Sequence, residues 1–201
     1  MSQTARVRSR LVGLMISLIN CNHHHTASAI LVNRTIDDQF GDPTTGTYPT
    51  YSPADGWQPG AGCSVCAVRP DVFKAFDGTW RDSTYYPGDA PRTVTVTFSG
   101  TSYFVRTRYV LYWSYAGNAV YAFFITSPLL AGWITTATYL NFTLDNELSG
   151  SFNFVPDGSE TYTYNHSVFS KTNLSNNQHT LVMSTGGSQP GVLEFDYVIY
   201  T

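Results

Sequence analysis

Hydrophobic and polar residues alternate along most of the second half of the chain. Apolar side chains occupy every second position in seven runs, which are bounded by Gly, Pro, Asn or Asp. A period of two residues is typical of β-strands, because successive side chains of a strand point to opposite faces. The pattern predicts strands over 94–99, 119–125, 138–144, 149–155, 161–169, 179–184 and 192–200.

We find no comparable stretch with the 3.6-residue period of a helix. Many short strands with little helix predict an all-β fold, an antiparallel two-sheet β-sandwich. Asp145 and Asn146 separate two of the runs and predict a hairpin turn, since Asn tolerates a left-handed backbone. With 201 residues, the chain is long enough for one domain with its own core, which we assign to residues 30–201.

Residues 40–91 depart from this alternation. They are rich in Gly, Pro, Thr and Ser, and the pattern predicts a long loop region. Long ordered loops are uncommon in compact domains and are often functional, because a rigid sandwich can hold binding residues at its edge.

The first 29 residues predict a signal peptide. Arg6, Arg8 and Arg10 precede the apolar run 11–19, and a small-x-small sequence follows at 27–29. Nine apolar residues are too few to cross a bilayer, and we expect no membrane span elsewhere in the chain. The sequence therefore favours a secreted or cell-surface protein.

Charge and sequons add to this picture. Without residues 1–29, 8 Lys and Arg face 14 Asp and Glu, which is the wrong balance for a nucleic-acid binder. Four N-x-S/T sequons predict glycosylation and therefore exposure, at Asn33, Asn141, Asn165 and Asn173. The oligomeric state is left open.

A set of ordered motifs carries a family resemblance over residues 36–201. They are IDDQFGD (36–42), PTYSPADGW (49–57), CSVC (63–66), RPDVFKAFDGTWRDST (69–84), PGDAPRTVTVTFSGT (87–101), YLNFTLDNELSGSF (139–152), LSNNQHTLVMST (174–185) and FDYVIYT (195–201). Together they resemble secreted or cell-surface proteins of mushroom-forming fungi. AFDGTW, FSGT, HTLVMS and FDYV also resemble galactose-binding-like domains, and that resemblance implies a jelly roll.

Residues 102–117 depart from the resemblance. In the related pattern FSGT runs almost directly into a strand like NAVYAFFI (118–125), whereas this chain inserts YFVRTRYVLYWSY and its flanking residues. The insertion is either an extra hairpin or translated intron sequence. A transcript that encodes 102–117 would exclude the second explanation.

Cys63 and Cys66 form a C-x-x-C, which fits a redox pair, half of a zinc site or a disulfide. A zinc site needs four ligands, and only His166 and His179 are left to complete one after the leader is removed. Redox C-x-x-C motifs open a helix in a βαβ unit, which an all-β chain lacks. Export to an oxidising compartment therefore favours the disulfide.

The run after the cysteines is the candidate ligand site. Aromatic faces stack on sugar rings and carboxylates accept hydrogen bonds from sugar hydroxyls. On this basis the predicted carbohydrate-binding residues are Trp57, Asp77, Trp80, Asp82, Tyr85 and Tyr86. The alternative is structural: Asp77 and Gly78 form a tight turn, and Trp80 packs on the sandwich edge.

The galactose-binding-like resemblance also implies a structural calcium ion between the first and last strands. The weak candidates for its ligands are Asp37, Asp38 and Asp196. Each has an ordinary alternative, as a strand cap or a solvent-facing residue.

Whether the protein is an enzyme is left uncertain, and we lean against it. Asp145 and Glu147 form a carboxylate pair of the kind that glycosidases use, but they flank a solvated turn. The leading hypothesis is an extracellular glycoprotein that binds carbohydrate, such as a cell-wall glycan. The alternatives are a structural or adhesive ectodomain, and an enzyme with glycan-active or cyclisation chemistry in a jelly-roll pocket.

Overall fold

The computed structural model describes residues 32–66, 68–100, 118–128, 135–159, 161–185 and 188–201. The predicted leader over 1–29 and the insertion over 102–117 lie outside the described residues. In chain order the strands are β1 (Arg34–Asp37), β2 (Thr50–Ser52), β3 (Gln58–Pro59), β4 (Arg81–Tyr85), β5 (Thr93–Ser99), β6 (Asn118–Thr126), β7 (Thr138–Leu144), β8 (Glu147–Phe154), β9 (Thr163–Leu174), β10 (Gln178–Ser184) and β11 (Gly191–Tyr200).

The strands form two antiparallel sheets. Sheet A has the order β3-β4-β11-β6-β9, and β1 pairs with the second half of β11. Sheet B has the order β2-β5-β10-β7-β8. The predicted antiparallel two-sheet β-sandwich is confirmed, and each of the seven predicted strands is present, with bounds that match for 138–144 and differ by one to five residues for the others.

The main core lies between the two sheets. Alternate residues of the predicted runs supply it, as the period of two requires. Among its members with exposed fractions of 3% or less are Val94, Val96, Phe98, Leu140, Phe142, Leu181, Met183, Leu193 and Phe195. Asp145 and Asn146 have φ of 53° and 68°, so the predicted hairpin turn between β7 and β8 is confirmed.

A second, smaller cluster lies on the other face of sheet A. Trp80 and Ala75 pack there with Ile125, which neighbours the core residue Phe124 and so points away from the main core. The backbone N–H groups of Arg69 and Asp71 donate to the hydroxyls of Tyr162 and Tyr164 on or beside β9. Much of the predicted loop region therefore covers the outer face of sheet A.

The loop prediction over 40–91 misses three short strands, β2, β3 and, at its C-terminal end, β4. Arg81–Tyr85 form β4 and pair with Phe195–Gly191 of β11. The strand is short, and its polar residues are buried on both faces, so it lacks the alternation that reveals a half-exposed strand. β1 has only four residues, so the alternation did not predict it and only the galactose-binding-like resemblance implied a first strand there.

Candidate functional site

The predicted aromatic platform is not formed. Trp57, Trp80 and Tyr85 have exposed fractions of 8%, 2% and 5%, so their faces are packed against protein. Of the predicted aromatic residues only Tyr86 is well exposed, at 52%. The structural alternative holds for Trp80, because a ring that packs on the outer face of sheet A cannot also stack on a sugar.

The two predicted carboxylates of that run are separated. Asp77 is exposed and adopts φ of 47° in the tight turn before Gly78, whose φ is 75°. The N–H groups of Gly78 and Thr79 donate to the carbonyls of Ala75 and Phe76, rather than to the Asp77 side chain. Asp82 is buried in β4 and accepts a hydrogen bond from Gln58 Nε2 at 3.2 Å. Asp82 therefore has a structural role, whereas Asp77 is accessible to a ligand.

Glu194 lies directly opposite Asp82 in the β4–β11 pair and is 1% exposed. Neither oxygen of its carboxyl has a hydrogen-bond partner among the described residues, although Asp82 and the Trp80 indole lie beside it. Burial, and then the negative charge of Asp82, raise the pKa of Glu194 well above its usual value. Both causes disfavour the charged form of the carboxyl.

Cys63 and Cys66 form a disulfide with an S–S distance of 2.03 Å, which confirms the favoured reading of the C-x-x-C. Gln58 links the disulfide to the buried Asp82, because Gln58 Nε2 lies 3.2 Å from both Cys66 Sγ and Asp82 Oδ1. Arg69 donates from its guanidinium to the carbonyls of Ser64 and Cys66. These contacts anchor the disulfide loop to the outer face of sheet A.

The three calcium candidates are buried close together, where β1 meets β11. Asp37 and Asp38 are each 2% exposed and Asp196 is 0% exposed. Burial, opposed by a hydrogen bond from Thr79 and reinforced by the charge of Asp37, raises the pKa of Asp38 to about 7. Burial, together with the charges of Asp38 and Asp37, raises the pKa of Asp196 to about 8.

The three carboxylates already make contacts within the protein. Each carboxylate uses one oxygen for the protein: Asp37 for the N–H groups of 39 and 40, Asp38 for the Thr79 hydroxyl, and Asp196 for the N–H of 76. Arg81 Nε lies 3.8 Å from the other oxygen of Asp38. Among the described residues, no group of three or more His, Cys, Asp or Glu is placed to hold a metal. Calcium binding stays a prediction.

A cleft of about 580 Å³ opens beside these acids. We call it the Phe40 cleft, and its lining residues are Val32, Asn33, Arg34, Thr35, Asp37, Phe40, Gly41, Asp42, Pro43, Thr44, Phe76 and Asp77. Its volume lies within the range of roughly 300–1,000 Å³ that is usual for small-molecule sites. It joins the predicted residues Asp37 and Asp77 to an aromatic residue that the sequence analysis had not selected.

The walls of the cleft are held in place by the fold. The Phe76 ring lies 4.6 Å from the Tyr197 ring, which stacks in turn on Phe123 at 4.4 Å. The Asp42 carboxylate accepts hydrogen bonds from the Thr44 N–H and the Thr45 hydroxyl, each at 2.7 Å. Phe40 keeps 53% of its surface exposed. The cleft thus combines a rigid frame with one accessible aromatic face.

The cleft was missed because it is assembled from two distant segments, residues 32–44 and 76–77. The motif IDDQFGD held one signal in the sequence. Asp37 and Asp38 precede Phe40, and Gly41 and Asp42 follow it. Gly41 adopts φ of 69°, and a Cβ there would meet the Thr47 carbonyl oxygen at 2.5 Å. A position that only glycine can occupy, directly after an exposed aromatic residue, indicates a turn that leaves the ring exposed.

Asp145, Ser175 and His179 have the outline of a hydrolytic triad. His179 Nδ1 lies 2.6 Å from Asp145 Oδ2, and Nε2 lies 3.3 Å from Ser175 Oγ. However, Nε2 is also 2.8 Å from the Ser175 carbonyl oxygen, which can only accept. Nε2 therefore carries a proton and cannot remove one from the serine. The group fastens the β7–β8 turn to the β9–β10 turn, and Glu147 takes no part in it.

All four sequon asparagines, Asn33, Asn141, Asn165 and Asn173, are exposed. Their glycosylation stays a prediction, but each is accessible to the modification. Asn33 lines the Phe40 cleft, so a glycan there would stand at its rim. No helix of the described residues is long and apolar enough to cross a membrane.

No protein-family model and no curated protein matches the chain. The resemblance to mushroom surface proteins therefore gains no support. The fold is similar to a family 35 carbohydrate-binding module from Clostridium thermocellum, with 13% identity, a TM-score of 0.39, and coverage of 76% of this chain and 96% of that one.

Two structures of an exo-β-1,3-galactanase from Phanerochaete chrysosporium with β-1,3-galactotriose are also similar. One has 15% identity and a TM-score of 0.37 over 76% of this chain, and the other has 16% and 0.35 over 79%. This chain spans only 29% and 31% of those galactanase chains. At such identities these similarities concern the fold alone.

Proposed function

We propose that the protein binds carbohydrate in the Phe40 cleft, as an extracellular module without catalytic chemistry of its own. The observation that carries the proposal is the half-exposed Phe40 ring beside accessible oxygen acceptors in a cleft of about 580 Å³. A pyranose presents C–H groups on its faces and hydroxyls on its edge, and this lining offers a partner for each. A cell-wall glycan is the ligand class that we favour.

The acceptors and donors of the cleft suit a sugar edge. Asp77 is exposed, and Asp37 has one carboxylate oxygen, Oδ2, without a partner among the described residues. Thr44 adds a hydroxyl, which can both donate and accept. The disulfide and the exposed sequons support placement of this binding outside the cell.

A glycan array followed by calorimetric titration of the best ligand tests the proposal. We expect Phe40→Ala to weaken binding at least about tenfold, which corresponds to about 1.4 kcal/mol. Phe73→Ala is the matched control, because Phe73 is 94% exposed and does not line the cleft. A well-folded protein that binds no glycan, or a loss that is equal in both variants, would refute the proposal.

Adhesion is the second candidate. The loop that covers the outer face of sheet A exposes three large apolar residues, Val65 at 80%, Val72 at 39% and Phe73 at 94%. Exposed apolar groups of this kind favour contact with another protein surface. Light scattering separates the candidates: adhesion predicts concentration-dependent association that Phe73→Ala weakens and Phe40→Ala leaves unchanged.

A further inference from the structure

The charge of the Phe40 cleft is predominantly negative. Three of its lining residues are acidic, Asp37, Asp42 and Asp77, and Arg34 is the one basic residue among them. Arg34 is engaged, since its guanidinium lies beside the Tyr200 hydroxyl and acts to lower the pKa of Tyr200 against the effect of burial. The lining therefore has more acidic than basic side chains, although burial raises the pKa of Asp37.

The acidic residues of the cleft differ in the hydrogen bonds that they already make within the protein. Asp42 is satisfied by Thr44, Thr45 and the Tyr200 hydroxyl. Asp37 Oδ1 accepts from the N–H groups of Gln39 and Phe40 at 2.8 and 2.6 Å.

Asp37 Oδ2 is left without a hydrogen-bond partner among the described residues, and Asp37 is only 2% exposed. A buried carboxylate oxygen without a partner costs free energy, and a ligand that donates to it recovers that cost. Asp77 at the exposed side of the same cleft adds a second anionic acceptor.

We propose that the Phe40 cleft selects amino sugars whose nitrogen is free and protonated, over N-acetylated, neutral and acidic sugars. The inference rests on the proposed carbohydrate-binding function and names the ligand class of the same site. An ammonium donates up to three hydrogen bonds, and its bonds to carboxylates are about twice as strong as neutral ones. The Phe40 ring favours the same ligand through its C–H face and its attraction for a cation.

The shape of the cleft favours an organic cation over a metal ion. A volume of about 580 Å³ is far larger than an ion requires. Its acidic residues are not gathered into a metal-binding group within the described part of the chain. Two of its walls are phenylalanines, which offer a metal no ligand but offer a sugar ring a surface.

The experiment compares four oligosaccharides of equal length by calorimetric titration: a glucosamine tetramer, its fully N-acetylated form, a neutral glucose tetramer and a uronic acid tetramer. Titration at pH 6 keeps the sugar amine protonated. The protein carries Asn33→Gln so that no glycan stands at the rim of the cleft. We expect the glucosamine tetramer to bind at least about tenfold more tightly than the N-acetylated form, and the preference to shrink at high salt.

Four variants assign the preference to the site. Asp77→Asn and Asp37→Asn should each reduce the preference for the free amine several-fold, and Asn preserves the Oδ1 acceptor of Asp37. Phe40→Ala should weaken every bound sugar, and the glucosamine tetramer most, because the ring also attracts a cation. Asp55→Asn is the matched control, since Asp55 is exposed and does not line the cleft.

Equal affinity for the free and acetylated tetramers would overturn the inference while leaving carbohydrate binding intact, provided that Phe40→Ala still weakens it. A preference that survives both Asp37→Asn and Asp77→Asn would also overturn it. Binding of no tetramer would overturn the inference, while the glycan array decides separately whether the proposed function stands. Calcium that displaces the glucosamine tetramer from the wild type but not from Asp37→Asn would show that the carboxylates serve a metal, and would overturn the inference.

Discussion

Glu194 is a buried acid whose pKa is raised well above its usual value. It is buried opposite Asp82 in the middle of sheet A, with the covering loop and Trp80 above it. An acid whose pKa is raised by folding holds its proton in the native state and releases it in the unfolded chain. The stability that it contributes is therefore complete below the unfolded pKa and is lost as the pH rises through the folded pKa.

We predict that Glu194→Gln reduces this loss of stability with rising pH. Gln is neutral at every pH and nearly isosteric, and its amide can donate to the Asp82 carboxylate. The free energy of unfolding of the wild type should fall above about pH 4.5, by about 1.4 kcal/mol for each unit by which the pKa is raised. Urea denaturation at pH 4, 6 and 8 measures the slope, and Glu147→Gln is the exposed control. Equal slopes for wild type and Glu194→Gln would mean that the carboxyl is ionised in the folded protein.

Trp80 illustrates why single residues were harder to assign than strands. A tryptophan among Asp and Tyr residues has the composition of a sugar platform, and nothing local distinguishes an exposed ring from a buried one. Gly60 makes the difference, because a Cβ there would lie 1.9 Å from the Trp80 indole nitrogen. That contact spans twenty residues of loop and depends on the pairing of β3 with β4, so the sequence pattern could not reveal it.

At the scale of elements, the half-buried strands were predictable and the site between them was not. Alternation reports one face against another, and β5, β7 and β10 each have one core face and one more exposed face. In β11 every residue is buried except the half-buried Ile199, so its two faces do not differ in burial. The loop over the outer face of sheet A and the neighbouring β1 help to bury both faces. The apolar residues of β11 sufficed to predict it. The Phe40 cleft joins segments that only the three-dimensional fold brings together, and no periodicity records such a meeting.

His179 joins the β7–β8 turn of sheet B to the β9–β10 turn between the two sheets, and we predict that this link is pH-dependent. Burial acts to lower the pKa of His179, but the hydrogen bonds to Asp145 and to the Ser175 carbonyl prevail and raise it. Burial acts to raise the pKa of Asp145, but its hydrogen bonds, including the one with His179, lower it overall. The raised histidine contributes below about pH 6.5 and the lowered acid above about pH 3.8. The link is therefore strongest between these values and weakens as the pH rises through the pKa of His179.

Asp145→Asn tests the link, because Asn keeps the left-handed turn and removes the charge. We expect a lower pKa for His179 by NMR titration, and a loss of about 1 kcal/mol in the free energy of unfolding near pH 5.5, discounted for the half-exposed Asp145. At pH 8.5 the loss should be smaller. Asp157→Asn changes an exposed aspartate elsewhere and should alter neither quantity. An unchanged His179 pKa in Asp145→Asn would refute the link.

At the scale of the whole molecule, the described strands on either side of residues 102–117 come together. β5 ends at Ser99 in sheet B and β6 begins at Asn118 in sheet A, and these two ends meet. A Cβ on Gly100 would lie only 2.1 Å from Asn118 Nδ2. With ordinary bond lengths along the Asn side chain, the Cα atoms of 100 and 118 are at most about 7 Å apart, a span that one linking residue covers.

We therefore predict that a chain lacking residues 102–117, in which Thr101 joins Asn118, folds to the same sandwich. Its free energy of unfolding should lie within about 1 kcal/mol of the full chain, since removal of a long connection reduces the entropy cost of closing the loop only slowly with length. Circular dichroism and urea denaturation measure this. A second variant with two glycines in place of 102–117 separates a strained junction from a missing part of the core: if only the direct fusion is destabilised, the junction is too short. If both variants fail to fold, residues 102–117 belong to the structure, and the idea that they are translated intron sequence loses its physical basis.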